Sequence, residues 1–405
     1  MAIRISTSQT FRQGTNSILE NQARVNQTQQ QLSNGTRISQ PSDDPIGSAV
    51  MMDLQKQIDN AKQYVANGQA AETRLKTQEG TLANTTDILQ RIRDLALSAS
   101  NSTMNQTDRE TIALEMEQRL DELVGLGNTQ LSSGDYLYSG FKTNVKPFTK
   151  DGSGSIAYNG DQGVRMVNVN ASVQVESGNS GDEVFFDIKT GNGAFATSAN
   201  SANMGSGVIS SAVMSDPTSY IADTYTVTFQ DDGSGNLEYQ VSGANSGAVG
   251  GPVAFDEDSP VTVNGITYSI SGSPAVGDSF TVEPSNKQDI FTTVQQVIAA
   301  IKIPNATSAG QASFQNAFNL GMQNLDQSLT HIDEVRASLG SRLNVIESER
   351  DINEGNIVDT ESALSTVKDL DYAEAITELN QRTLALQAAQ QSFVQVQNLS
   401  LFEYL

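Results

Sequence analysis

The sequence predicts a mixed α and β chain of several domains, in which long helices from both termini form a coiled coil or bundle and a β-rich insert occupies the middle. Three features carry this expectation. The two ends bear matching apolar stripes, Phe11, Ile18, Val25, Leu32 and Tyr372, Leu379, Leu386, Phe393, each stepped by seven residues. Seven residues are two helical turns, so each stripe runs along one side of a helix and needs a partner to cover it. Further inside lie two more such rows, Leu75, Leu82, Leu89 and Leu325, Ile332, Leu339, Ile346. From about Asp135 to Val282, by contrast, short alternating runs are separated by Gly, Ser, Asn and Asp, the signature of strands joined by turns.

The first helix ends near Gly35, which can adopt the left-handed conformation that stops a helix. Pro41-Ser42-Asp43-Asp44-Pro45 follows. Each proline disfavours helix in the residue before it, and the aspartates can cap the helix beyond. Gly35, Arg37, Pro41, Asp43, Asp44 and Pro45 therefore read as a structural joint. A second helix is expected from about Ile46 to Ser100, with Leu54, Ile58, Ala61 and Val65 on a seam ahead of the leucine row. Thr107 and Glu110 have capping-box spacing, and Ile112, Met116, Leu120 and Leu123 mark the face of a third helix ending around Gly125 to Gly127.

Strands are expected at Val164 to Val169, Glu183 to Ile188, Thr224 to Gln230, Asn236 to Ser242, Gly265 to Ser271 and Ser279 to Glu283. The small, polar stretch from Ala194 to Gly207 reads as a loop or a boundary between two β units. Helices resume after Pro284-Ser285, with Ile290, Val294, Val297 and Ile301 on one face, and stop at Pro304. A long helix follows, whose row from Leu325 to Ile346 has Met322, Leu329 and Leu343 as companions. The last helix, from about Tyr372 to Leu401, ends in an apolar group containing Leu399, Leu401 and Phe402. The expected parts are nested: residues 1–45 with 366–405 as a terminal helical assembly domain, 46–190 with 286–365 as a helical bundle with a small β part, and 191–285 as a β-rich outer domain.

The terminal stripes are flanked mostly by Gln, Asn, Thr and Ser, so burial per turn is small and a lone two-helix pair should be marginal in water. Neighbouring copies of the chain can supply the missing surface. Phe11, Ile18, Val25, Leu32, Tyr372, Leu379, Leu386, Phe393, Leu399, Leu401 and Phe402 are accordingly the expected assembly residues.

A formal net charge of −23 argues against nucleic-acid binding, which requires clustered Lys and Arg. The excess is concentrated in residues 145–285, which hold 16 acidic and 4 basic side chains, whereas residues 1–45 are nearly neutral. No apolar run long enough for a membrane span or a signal peptide occurs near Met1. The absence of cysteine removes disulfides and thiol chemistry, and the one histidine, His331, lies inside the long helix as a packing residue. No nucleophile elbow, P-loop or dinucleotide fingerprint is present, so neither catalysis nor a cofactor or metal is expected. Asp151-Gly152-Ser153-Gly154 and Asp232-Gly233-Ser234-Gly235 lack the closing bidentate Glu of a calcium loop and read as hairpin turns.

Arg4-Ile5-Ser6-Thr7, the run from Leu32 to Ile38 with Pro41 to Pro45, and Asp135-Tyr136-Leu137-Tyr138-Ser139-Gly140 with Pro147-Phe148 resemble the flagellin superfamily. The prolines around Asp43-Asp44 and the ending from Phe393 to Leu405 are similar to its junction members, which join hook to filament. This resemblance covers roughly residues 1–148 and 287–405. It implies a structural, non-enzymatic flagellar component whose terminal helices order as copies join into a ring or helical segment. It also implies an extracellular location reached from the cytoplasm through the flagellar type III export channel without a cleaved signal peptide. The implied partners are other copies of the chain, the first junction protein on the hook, flagellin and a cytosolic export chaperone. Filament flagellin is the nearest rival reading, and a surface-displayed adhesin or enzyme is a more distant one.

Overall fold

The computed structural model describes residues 7–101, 103–152 and 154–398. These divide into two compact units, one containing the residues up to Ala66 with those from Ser348 onward, the other running from Asn67 to Glu347. The helices are α1 (Thr7–Asn34), α2 (Pro45–Ala99), α3 (Gln106–Gly127), α4 (Gly181–Phe185), α5 (Ile290–Lys302), α6 (Ser308–Lys368) and α7 (Tyr372–Asn398). Helices α2 and α6 contribute to both units.

In the Asn67–Glu347 unit the inner seven-residue rows form the spine of a helical core. Leu75, Leu82, Leu89, Leu325, Ile332, Leu339 and Ile346 are all buried in one hydrophobic cluster, with Met116 and Leu123 of α3 and Val294 and Val297 of α5. Helix α3 packs against α5, and Lys302 at the end of α5 pairs with Glu117 at 2.6 Å. Arg336 of α6 bonds Glu79 of α2 through two nitrogens, at 3.0 and 2.8 Å, and Arg93 bonds Asp326 at 2.9 Å, so charged pairs flank the apolar seam. His331 rests with Nε2 2.8 Å from the Glu183 carbonyl oxygen, tying the helix to the β part.

The small β part caps this core. Strands β1 (Phe148–Lys150) and β2 (Ile156–Tyr158) form a hairpin across the Asp151 turn, and β3 (Met166–Asn168) pairs with β4 (Gln174–Glu176). Phe148 and Phe185 meet Phe291 of α5 at ring-centroid distances of 5.3 and 5.7 Å. Tyr138, wholly buried beside them, shares a hydrogen bond with Thr81 of α2, and burial pushes its phenol pKa well above the usual value.

The larger β part begins with β5 (Ile188–Lys189), β6 (Phe195–Ala199), β7 (Val208–Ile209) and β8 (Val213–Met214). It continues through β9 (Tyr225–Asp231), β10 (Leu237–Gly243), β11 (Gly247–Ala254), β12 (Pro260–Val263), β13 (Ile266–Ser271), β14 (Ser279–Pro284) and β15 (Lys287–Gln288). One antiparallel sheet runs β11-β10-β9-β14-β6 and a second runs β12-β13-β7, with β8 also on β13. Alternate side chains of β9, β13 and β14 point inward, including Tyr225, Val227, Phe229, Ile266, Ile270 and Phe280, and build a second hydrophobic cluster. The β9–β10 turn is held by Asp231 and Asp232, whose carboxylates accept from the Gly233 and Ser234 amides at 2.6 and 2.7 Å. These carboxylates serve a hairpin turn, and the described residues contain no group of three or more potential metal ligands.

Three local expectations change. Glu183 to Ile188 is not one strand: Ser180 accepts from the Glu183 amide at 3.2 Å and starts α4, so an S-x-x-E cap outweighs the alternating apolar pattern, and only Ile188 enters a strand, β5. Part of the supposed loop from Ala194 to Gly207 is β6, which pairs with β14 along its whole length because Phe195 and Ala196 are buried. Helix α3 starts two residues earlier than the Thr107 cap would place it, on a capping box of Asn105 and Asp108.

Leu82→Ala should therefore destabilise the Asn67–Glu347 unit by about 2–5 kcal/mol, read from the urea unfolding midpoint. Asp223 provides a pH test. Its carboxylate accepts from the Ser246 hydroxyl and amide and from the Asn245 and Thr224 amides, and these bonds hold its pKa down to about 2. A carboxyl depressed in the fold stabilises it above the unfolded value of about 4, and that contribution is lost as pH falls toward about 2. Asp223→Ala should lower the unfolding midpoint at pH 7, and its deficit relative to the unsubstituted chain should shrink between pH 4 and pH 2.

Candidate functional site

The terminal unit is built on α1 and α7, which pack antiparallel. Because both carry an apolar residue at every seventh position, this orientation brings the two rows level along their length. Phe11 lies against Phe393 with ring centroids 5.0 Å apart at one end, and Gly35 lies beside the Tyr372 hydroxyl at the other. Between them Arg382 reaches from α7 to the Arg24 carbonyl at 3.0 Å and the Thr28 hydroxyl at 2.8 Å, while its other terminal nitrogen pairs with Glu378. Gly14 makes room for the Phe393 ring, since a Cβ there would sit 2.6 Å from it.

Burial along the seam is incomplete. Val25 and Leu386 are buried, Ile18, Leu32, Leu379 and Phe393 are half-buried, and Phe11 and Tyr372 remain 48% and 54% exposed. Leu399, Leu401 and Phe402 lie outside the described residues. A second apolar set on the same helices points away from the seam: Leu19 on α1, and Ile376, Leu384 and Val394 on α7, all more than half exposed. Sequence reasoning overlooked this set because it follows no seven-residue step. Ile376 and Val394 are nevertheless 18 residues apart, five full turns, and so share one face.

The joint is a compact hydrogen-bonded hinge between chain segments distant in sequence. Gly35 adopts φ 69°, and its amide still completes the helical link, donating to the Gln31 carbonyl at 2.8 Å. Thr36 then bridges Asp369 as one antiparallel pair, the Arg37 amide donates to the Lys368 carbonyl at 2.8 Å, and the Arg37 guanidinium donates to the Val367 carbonyl at 2.9 Å. Asp43 accepts from the Ser39 and Gln40 amides and from the Gln27 side chain of α1. Asp44 accepts from the Gly47 amide at 2.9 Å and caps α2, with Pro45 as its first residue, where a missing N–H costs nothing. Pro41 lines a cleft of about 300 Å³ with Ile38, Met51, Met52, Leu364 and Lys368. The two adjacent carboxylates are thus committed to turn and cap, and the joint's chemistry is positional.

The energetic character of this unit is plain from its inventory. Among the described residues it contains five buried apolar side chains, Val25, Ile38, Ile58, Ala375 and Leu386, against eleven large exposed ones, including Ile46, Met52 and Val358. Both hydrophobic clusters lie in the other unit. Exposed apolar surface of this density on long helices marks a surface for association.

Terminal helices that pair with each other and flank, in sequence, a helical bundle and a β insert define a flagellin-like class of protein, and comparison with known proteins agrees. The bacterial flagellin N-terminal helical region matches residues 5–143 and the bacterial flagellin C-terminal helical region matches residues 322–405. The chain belongs to the flagellin family. Within that family it is similar over nearly its whole length to flagellar hook-associated protein 3 of Escherichia coli (strain K12), 23% identical over 402 residues and 99% of each chain. Among solved structures, flagellar hook-associated protein 3 of Legionella pneumophila is 34% identical with a TM-score of 0.74, over 78% of this chain and 98% of that one. Xanthomonas campestris FlgL is 29% identical with a TM-score of 0.71, over 77% and 99%.

Gly35→Val would force a β-branched residue into the left-handed region and a Cβ to within 2.8 Å of the Tyr372 hydroxyl. The expected cost is about 1–2 kcal/mol. Hydrogen exchange should show faster amide exchange in α1 and α7, with protection around Leu82 unchanged.

Proposed function

We propose that this protein is a structural component of the bacterial flagellum that forms the junction between hook and filament by self-assembly through its terminal helices. The observation that carries the reading is the unsealed terminal unit, in a chain that matches hook-associated protein 3 over 99% of its length. An isolated two-helix seam with so little buried apolar area gains little on folding, so most of its stabilisation arrives when neighbouring copies cover the outward set of Leu19, Ile376, Leu384 and Val394. Association of this kind requires no catalytic group, and the protein acts as a mechanical connector rather than an enzyme.

In this reading residues 1–45 and 366–405 form the assembly part, with Phe11, Ile18, Val25, Leu32, Tyr372, Leu379, Leu386 and Phe393 setting the pair, and with Leu399, Leu401 and Phe402, outside the described residues, as further assembly residues. Residues 46–190 with 286–365 form the supporting bundle, and the acidic residues 191–285 face solvent outside it. The joint at Gly35, Arg37, Pro41, Asp43, Asp44 and Pro45 holds the direction in which the helical pair leaves α2 and α6. The junction protein on the hook side and flagellin on the filament side are the axial partners. An export chaperone in the cytoplasm keeps the terminal apolar rows from associating before the chain leaves the cell through the flagellar export channel.

Cells lacking the chain should carry hooks without attached filaments and release flagellin into the medium. The unsubstituted chain should restore filaments, whereas Leu386→Asp and Leu384→Asp should not, because each places a charge in an apolar contact at a cost of several kcal/mol. Circular dichroism of the purified variants should retain the bundle and β signal. Normal filament attachment with Leu386→Asp would overturn the role given to the seam, and with Leu384→Asp the role given to the outward face.

A further inference from the structure

The Asn67–Glu347 unit contains a basic pocket that nothing in the terminal-helix seam uses. Arg74 of α2 and Arg165, just ahead of β3, line a cavity of about 500 Å³ together with Phe141, Val164, Met166 and Ser177. Arg74 is half-buried; its Nη2 donates to the Leu137 carbonyl at 2.9 Å, and Gly178 passes over it where a Cβ would approach Nε to 3.2 Å. Arg165 is exposed. Neither has an ion-pair partner among the described residues, although Arg342, a third guanidinium nearby, is matched by Glu176 and Asn179. Burial, and then the charge of Arg165, depress the Arg74 pKa, an effect Asp135 offsets in part. Beside the arginines, Phe141 and Met166 are 60% and 54% exposed, while the neighbouring Lys142 is balanced by the Asp161 carboxylate, which accepts from the Phe141 and Gly163 amides. In a chain with 24 basic and 47 acidic residues, such a concentration of unmatched cations beside bare apolar side chains is out of keeping with the rest of the surface.

We infer that the Arg74–Arg165 pocket docks an acidic segment of a second copy of this chain. A carboxylate between the two guanidiniums relieves their repulsion and gains charge-assisted hydrogen bonds, while an apolar neighbour covers Phe141 and Met166. The chain itself supplies such segments. Asp94 and the exposed Leu97 lie three apart on α2, and Glu110 and the exposed Leu114 lie four apart on α3, so each pair presents an acid and an apolar group on one helix face. A ring or helical array joins copies through two different patches of each molecule, as a basic pocket meeting an acidic helix face requires. This inference rests on the self-assembly reading above and specifies a contact for it away from the terminal helices.

The test places a photo-crosslinking residue in the pocket, as Met166→p-benzoyl-phenylalanine, in cells that make this chain in two differently tagged forms. Flagella are irradiated and the crosslinked peptides identified by mass spectrometry. The expected product joins the two tagged forms through a peptide containing Asp94 or Glu110, with its yield falling at least fivefold in Arg165→Glu and recovering when Asp94→Arg or Glu110→Arg is added. Crosslinks to a different protein, to other regions of the second copy, or none at all from incorporated chain would overturn the inference. Incorporation of the unsubstituted tagged chain, scored by immunogold labelling of the same flagella, is read separately. Its failure would overturn the assembly reading instead.

Discussion

Covering a seven-residue apolar row is the constraint on which the rest of this structure depends. A single helix leaves such a row in water, one partner covers part of it, and full burial needs walls on several sides. The inner rows achieve this: Leu75, Leu82, Leu89, Leu325, Ile332 and Leu339 are sealed because α3, α5 and the aromatic residues of the small β part join the same cluster. The terminal rows face each other, and among the described residues only Val25 and Leu386 of these rows are buried. The same sequence pattern thus produces a finished core in one unit and an unfinished one in the other.

That contrast is the basis of the assembly role proposed above. A unit whose apolar rows are covered within one chain carries that stabilisation itself, whereas a unit left open is stabilised further by whatever covers its exposed rows. The joint inside the open unit is built from groups that do not depend on apolar burial. A left-handed Gly35, the Asp43 and Asp44 side chains and the backbone bonds from Arg37 to the end of α6 hold the chain's turn through hydrogen bonds. Nothing in this region converges as a catalytic set would. Its adjacent carboxylates spend their lone pairs on backbone amides, and the comparisons likewise lead to structural flagellar proteins.

The charge distribution follows the same division. The turns of the larger β part are written in aspartate, asparagine and glycine because these residues bond their own backbone and tolerate tight turns. Their density leaves residues 145–285 strongly acidic. Against that background the unmatched Arg74 and Arg165 are distinctive, and they became visible only when α2 and the segment before β3 were brought to one pocket across some ninety residues of sequence.

Long helices with a strict step were legible from the residues alone, because period and breakers act locally: Gly35 and Pro304 stop helices wherever the rest of the chain lies. The hairpin at Asp232, the inward faces of β9, β13 and β14, and the family likeness were equally readable. Short elements were not. Helix α4 depended on a Ser180 cap hidden in an apolar alternation, and β6 exists because β14 offers it a pairing edge and the core accepts Phe195. What the amino-acid order determined by itself was the existence of four seven-residue rows and the joint that interrupts them. Only the tertiary structure decided which rows are closed and which outward residues are left bare, because burial is a property of all the surfaces that meet at a side chain, not of its spacing along the chain.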